Sequence, residues 1–161
     1  MSLDRRRLLE LTTFTGLAAL IGCAPGESEA APNFPLKLTD AQWKARLTPA
    51  QYAILRQEGT ERPYSSALNK EKRAGIFACA GCTRPLFSSK TKFESGTGWP
   101  SFYAPLNGAV VDRTDRSLMM SRTEVLCSRC GGHLGHVFDD GPPPTGKRYC
   151  MNGDAMTFRA A

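Results

Sequence analysis

The six cysteines of this chain fall into three kinds, and between them they define most of the chemistry it can do. Cys79 and Cys82, in FACAGCTRPLF, form one C-x-x-C pair, and Cys127 and Cys130, in VLCSRCGGHLG, form another. Cys23 closes an apolar N-terminal stretch. Cys150, in GKRYCMNGD, has no sulfur nearby in sequence, which leaves three readings open: a buried core thiol, half of a disulfide, or a nucleophile.

Two thiolates spaced two residues apart converge on one ion from a tight turn, and two such knuckles complete a tetrahedron. Cys82 and Cys127 are separated by 44 residues, so a shared ion would join remote strands. Zinc is the expected metal, and its role is structural, because four thiolates leave no open position. Two alternatives stand beside it. Redox-active C-x-x-C motifs usually open a helix after a strand, and neither pair precedes a convincing helix. Two structural disulfides are the other.

Other residues have chemistry that would suit a nucleophile at Cys150. SGTGWPSF presents Trp99 from a stiff loop, and HLGHVFDDG carries His133 and His136, the chain's two histidines, with Asp140 close behind. Arg148 and Asn152 flank Cys150 and share its face if the segment alternates. A histidine near neutral pKa can donate a proton, and an arginine favours a thiolate. Each also has a plainer reading: a core tryptophan, metal-ligating histidines, a routine Asp-Asp-Gly turn.

Positioning these residues falls to a small helical segment followed by strands. TDAQWKARL and TPAQYAILRQEG each carry the T-x-x-Q pattern of a capping box, with Pro49 at the first helical position and Gly59 just past the end. GIFAC, GAVVD, SLMMSRTEVLC, GHVFD, RYCMN and MTFRA then read as short strands between turns. The expectation is one mainly β, antiparallel domain over residues 36–161, and a monomer. The formal charge is +6; without residues 1–22 it is carried by 18 basic and 13 acidic side chains. No five-residue basic run appears, so nucleic acid is not an expected partner.

DRRRLLELTTFTGLAALIGC has a charged start and an apolar run too short to span a membrane, as in a signal peptide. Its arginine run resembles a twin-arginine export signal, and LIGC resembles a lipobox whose cysteine becomes lipidated. The expectation is therefore an export signal over residues 1–22, lipidation of Cys23, and a tether through residue 35. The protein would then be anchored to a membrane, in the periplasm or at the cell surface. Twin-arginine export moves folded proteins, so zinc can be loaded before an oxidising compartment is met.

The string CAGC…PLF…KFESGTGWPSF…RTEVLCSRCGGHLGHVFDDGP…RYCMN resembles the B-type methionine sulfoxide reductases, from about Ala74 to Phe158. The resemblance implies two antiparallel sheets, a structural zinc on Cys79, Cys82, Cys127 and Cys130, and catalysis by Cys150. It places His133, His136, Asp140, Arg148 and Asn152 around the reacting centre, with His136 as proton donor and His133 and Asp140 in support. Trp99, aided by Phe138, would form an apolar wall for the substrate methyl group. The implied reaction is thiol-dependent reduction of methionine-R-sulfoxide, free or in oxidised proteins, with a thioredoxin-like reductant as partner and no organic cofactor. A zinc-knuckle binding module without catalysis and a general disulfide oxidoreductase are the competing functions. Two positions depart from the family pattern: Thr97 stands where many relatives carry a resolving cysteine, and Asp154 adds a charge near the site.

Overall fold

A computed structural model of the chain describes residues 33–116 and 121–161. The expected signal, Cys23 and the tether as far as residue 32 lie outside the described residues.

Both helices begin at the capping boxes. In α1 (Asp40–Arg46) the Thr39 hydroxyl accepts the Gln42 N–H at 3.3 Å, while Gln42 Oε1 accepts the Thr39 N–H at 2.8 Å. Thr48 and Gln51 repeat the exchange for α2 (Pro49–Gln57), at 3.2 and 3.1 Å. Pro49 disfavours helical backbone at the residue before it, and Thr48 is extended with ψ 159°, which separates the two helices. Gly59 falls just past the end of α2, as expected. Glu58, not Gly59, takes the left-handed conformation, with φ 56°. Gly59 is needed for closeness instead, since its N–H reaches the Ala53 carbonyl at 3.0 Å and a Cβ there would lie 2.8 Å from that oxygen.

Among the described residues nine strands follow: β1 (Gly75–Cys79), β2 (Pro85–Ser88), β3 (Lys92–Phe93), β4 (Ser101–Phe102), β5 (Val110–Asp115), β6 (Arg122–Cys127), β7 (His133–Phe138), β8 (Arg148–Met151) and β9 (Met156–Ala160). They form a three-stranded sheet, β2-β1-β9, and a six-stranded sheet, β3-β4-β8-β7-β6-β5. Every pairing is antiparallel. GIFAC and MTFRA coincide with β1 and β9. The first three residues of PLFSS and the two-residue strands β3 and β4 carry no alternation long enough to read as strands.

Three phenyl rings join the sheets. Phe102 of β4 stacks on Phe87 of β2 at 4.4 Å and meets the edge of Phe77 of β1 at 4.9 Å. All three are fully buried, as are Val125, Leu134 and Met151 from the six-stranded sheet. Burying one such side chain contributes about 1.5–3 kcal/mol. The helices cover the opposite end of the core with Trp43, Ile54 and Leu55. Packing against the second cysteine turn begins at Phe34, whose ring lies where a Cβ on Gly131 would stand, two residues ahead of the expected domain start.

Gly135 lets β7 and β8 approach at the site. A Cβ on it would stand 2.2 Å from the Cys150 carbonyl oxygen, beside the pairing of His136 with Cys150. Gly135→Ala is expected to lower the unfolding free energy by about 1–3 kcal/mol through forced strand separation, measured by urea unfolding. A stability equal to that of the wild type would contradict this account of the β7–β8 contact.

Candidate active site and metal centre

Cys79 ends β1, Cys127 ends β6, and each is followed by the same kind of knuckle. The Thr83 N–H returns to the Cys79 carbonyl at 2.8 Å, and the Gly131 N–H to the Cys127 carbonyl at 2.9 Å. Thr83 and Gly131, each four residues on, both have positive φ, at 60° and 66°. The four sulfurs of Cys79, Cys82, Cys127 and Cys130 lie within 4.8 Å of one another, all buried. The near pairs cross between knuckles: Cys79 to Cys130 at 3.7 Å and Cys82 to Cys127 at 3.5 Å. A disulfide needs about 2.05 Å, so the four are free thiols grouped as the ligands of one metal ion could be. Trp43 and Leu55 pack over Gly81 and Leu55 over Gly132, so the helices cover the knuckles. Arg56 lies 4.9 Å over the Trp43 ring and donates to the Cys130 carbonyl at 3.1 Å.

Cys150 is outside this cluster. It sits on β8, half-buried, paired with Ser101 of β4 on one side and His136 of β7 on the other. A cavity of about 160 Å³ opens over it, walled by Trp99, His136, Phe138, Arg122 and Asn152. Burial pushes the Cys150 thiol up from its ordinary value; hydrogen bonds from Thr97 and the nearby Arg148 charge oppose that rise. The Arg148 guanidinium lies 4.4 Å over the Phe138 ring.

The two histidines are held by carboxylates that the sequence reading did not single out. His136 Nε2 is 2.9 Å from Asp115 Oδ2, which also accepts from Arg122 at 2.7 Å. Burial lowers the His136 pKa, and the Asp115 hydrogen bond pulls it back. His133 is buried, with Nδ1 2.7 Å from Glu124 Oε1, and its ring is 5.4 Å from that of His136. Burial pushes Glu124 up, but hydrogen bonds from His133 and Arg113 outweigh it and keep the carboxyl low. His133 Nε2 has no partner among the described residues.

Asp140 is placed differently from the role expected of it. Its carboxylate takes a two-pronged hydrogen bond from Arg148, at 2.8 and 2.9 Å, on the exposed rim. It therefore steadies the arginine beside Cys150, while Asp115 and Glu124 are the acids on the imidazoles. Asn152 lies just beyond the end of β8 and lines the same cavity as Cys150. Its amide accepts from the Glu61 N–H at 3.1 Å and donates to the Leu134 carbonyl at 3.2 Å, which fixes it as cavity wall.

Glu61 ties several of these pieces together. Its carboxylate accepts the Gly153 and Asp154 N–H groups at 2.8 Å each, and its carbonyl accepts from the Trp99 indole at 3.2 Å. Asp154 itself turns its side chain outward, and its charge acts on Glu61 rather than directly on Cys150. Glu124 had a legible signal: an acid inside the buried run RTEVLC must be paired. Glu61 and Asp115 had none, because each acts across more than 20 residues of chain.

A SelR-domain family model matches residues 47–160. The chain belongs to the SelR family. Its relatives include a peptide methionine sulfoxide reductase MsrB of Leptospira interrogans, 56% identical over 128 residues, covering 79% of this chain and 98% of that one. The MsrB of Thiobacillus denitrificans is 59% identical over 121 residues, 74% of this chain and 92% of the relative. A chloroplastic peptide methionine sulfoxide reductase B1 of Oryza sativa is 53% identical over 129 residues, 80% and 60% of the two chains. The SelR match contains Cys150, both histidines and all four clustered cysteines, while α1 precedes it.

Asp115→Asn is expected to lower the His136 pKa further, by about one pH unit, because a nearby anion supports the imidazolium. The His136 midpoint is followed by NMR titration in wild type and variant. A His136 midpoint unchanged by the substitution would show that the Asp115 contact carries no such support.

Proposed function

We propose that the chain reduces methionine (R)-sulfoxide, free or within oxidised proteins, to methionine. The observation that carries this reading is a half-buried thiol at the wall of a small, largely apolar cavity, paired across the sheet with a carboxylate-bound histidine. The relatives' shared name, peptide methionine sulfoxide reductase, points to the same substrate.

Trp99 and Phe138 offer apolar surface to the substrate methyl group. The Cys150 thiolate attacks the sulfoxide sulfur while His136, kept protonatable by Asp115, gives a proton to the oxygen. The new sulfur–sulfur bond forms as the protonated oxygen departs as water. Water then attacks the Cys150 sulfur, the sulfur–sulfur bond breaks with its electron pair going to methionine, and Cys150 is left two electrons oxidised as a sulfenic acid. Arg148, steadied by Asp140, favours the thiolate before attack. His133, on Glu124, packs beside His136 and supports its orientation. An external thiol then condenses with the sulfenic acid, releasing water, and a second thiol frees Cys150 as the mixed disulfide is reduced. Thr97, 3.8 Å from the Cys150 sulfur, offers no thiol for an internal disulfide. A thioredoxin-like protein is the reductant this cycle calls for.

The four clustered cysteines are assigned to structural zinc. Zn–S bonds of about 2.3 Å in a tetrahedron set sulfurs about 3.8 Å apart, close to the 3.5 and 3.7 Å of the near pairs. Such an ion would clamp the ends of β1 and β6 and take no part in turnover. A disulfide oxidoreductase would need its C-x-x-C sulfurs within reach of a partner, and these are 0–4% exposed. A binding module alone would have no use for a carboxylate–histidine pair beside a free thiol.

Residues 1–22 are assigned to export and Cys23 to lipid attachment, on the charged start, the apolar run and the LIGC motif. Mass spectrometry of the protein taken from membranes is expected to find a lipidated Cys23 as the first residue; a chain still carrying Met1 overturns the assignment.

Cys150→Ser is expected to abolish conversion of methionine sulfoxide with dithiothreitol while zinc content stays at one per chain. Retained turnover would remove Cys150 from the reaction, and loss of zinc would place it in the metal centre.

A further inference from the structure

A run of three hydroxyls leads to the Cys150 sulfur. Thr97 Oγ1 is 3.8 Å from Cys150 Sγ and 2.9 Å from Ser95 Oγ. Ser95 Oγ is 2.7 Å from Ser101 Oγ, which lies 3.1 Å from the Trp99 carbonyl oxygen. Ser101 is fully buried and is the cross-strand neighbour of Cys150. A hydroxyl has one proton to give and lone pairs to receive, so the run has two complete orders. In the first, the Cys150 S–H donates to Thr97, Thr97 to Ser95, Ser95 to Ser101, and Ser101 to the Trp99 carbonyl. In the second, Ser101 donates to Ser95, Ser95 to Thr97, and Thr97 to the sulfur. The first order suits a protonated thiol and the second an anion.

We propose that Ser95, Thr97 and Ser101 form a reversible hydroxyl chain that follows the charge of Cys150, with Thr97 donating directly to the thiolate. A buried hydroxyl without a partner is costly, and either order leaves each member of the run hydrogen-bonded. Burial is the main influence on the thiol, and Thr97 gives the largest opposing one. The charged and titratable groups facing Cys150 are few. Arg148 lies on its own strand, His136 comes from β7 with Asp115 of β5 behind it, and Arg122 of β6 lines the same cavity. From β4 and the preceding loop come only the hydroxyls, since Glu94 is turned to the Gly96 N–H. Thr97 is thus a residue in contact with the reacting sulfur, Ser95 is a positioning residue acting through it, and Ser101 closes the run while also favouring the thiolate by its own hydrogen bond to Cys150.

This rests on Cys150 being the nucleophile, and the test keeps the two claims apart. The rate of iodoacetamide capture at Cys150 is followed against pH in the zinc-loaded protein by mass spectrometry, with sulfoxide turnover measured separately. Thr97→Val is expected to raise the midpoint by about one pH unit, or about tenfold in thiolate at a fixed lower pH. Thr97→Ser should restore the wild-type midpoint. Ser95→Ala should lower it, because Thr97 then loses the acceptor it uses when the thiol is protonated and keeps the sulfur to donate to. Matched zinc content in each variant controls for folding. A Thr97→Val midpoint that does not move, a Thr97→Ser midpoint that is not restored, or a Ser95→Ala midpoint that stays or rises overturns the proposal. If the midpoints move as stated in a protein that does not reduce methionine sulfoxide, the hydroxyl chain stands and the functional reading falls.

Discussion

Four sulfurs brought within 4.8 Å of one another, in a buried place where two sheets and two helices meet, make the main demand on this fold. Cys79 and Cys82 arrive from the three-stranded sheet, and Cys127 and Cys130 from the six-stranded one. Neither sheet alone can complete the set. A cation at this point would tie β1 to β6, residues far apart in sequence, and so would close the long loop between them. The helices follow from the same demand, because Trp43 and Leu55 supply apolar cover that the glycine-rich knuckles lack.

With those sulfurs occupied in structure, the six-stranded sheet is left to organise the reactive one. Antiparallel pairing sets Cys150 between Ser101 and His136, so register alone delivers a hydroxyl and an imidazole to the two flanks of the thiol. The outer strands add the acids: Asp115 from β5 reaches His136, and Glu124 from β6 reaches His133. Beyond Glu124, Arg113 donates both to it and to Glu58, the left-handed residue at the end of α2. The helical segment is therefore joined electrostatically to His133 as well as packed on the four-cysteine cluster.

Much of this was legible in the residue pattern and some was not, for physical reasons. The capping boxes of Thr39 and Thr48 are local codes spanning four residues, and both formed as expected. The C-x-x-C spacing fixes knuckle geometry by itself, so the four-sulfur cluster could be anticipated. Strands such as GIFAC were readable because alternation persists over five residues; β3 and β4, at two residues, carry none. The partner of each histidine was not readable, because a carboxylate reaches an imidazole through sheet pairing and not through proximity in sequence. Asp139 and Asp140, the nearest acids in sequence, went to Lys147 and Arg148 instead. Glu61 shows the same limit, since its contacts with Asn152, Gly153 and Asp154 span more than ninety residues.

Alternation along β8 has one more effect. Cys150 opens onto the cavity, and its neighbour Met151 points the opposite way into a fully closed core, 0% exposed. Met156, the other methionine among the described residues, is 4% exposed. A repair catalyst works amid the oxidants that create its damage, and its own thioethers are chemically identical to the groups it mends. Among the described residues both thioethers are shut away from those oxidants, which leaves Cys150 as the accessible sulfur there, the one the proposed cycle itself oxidises.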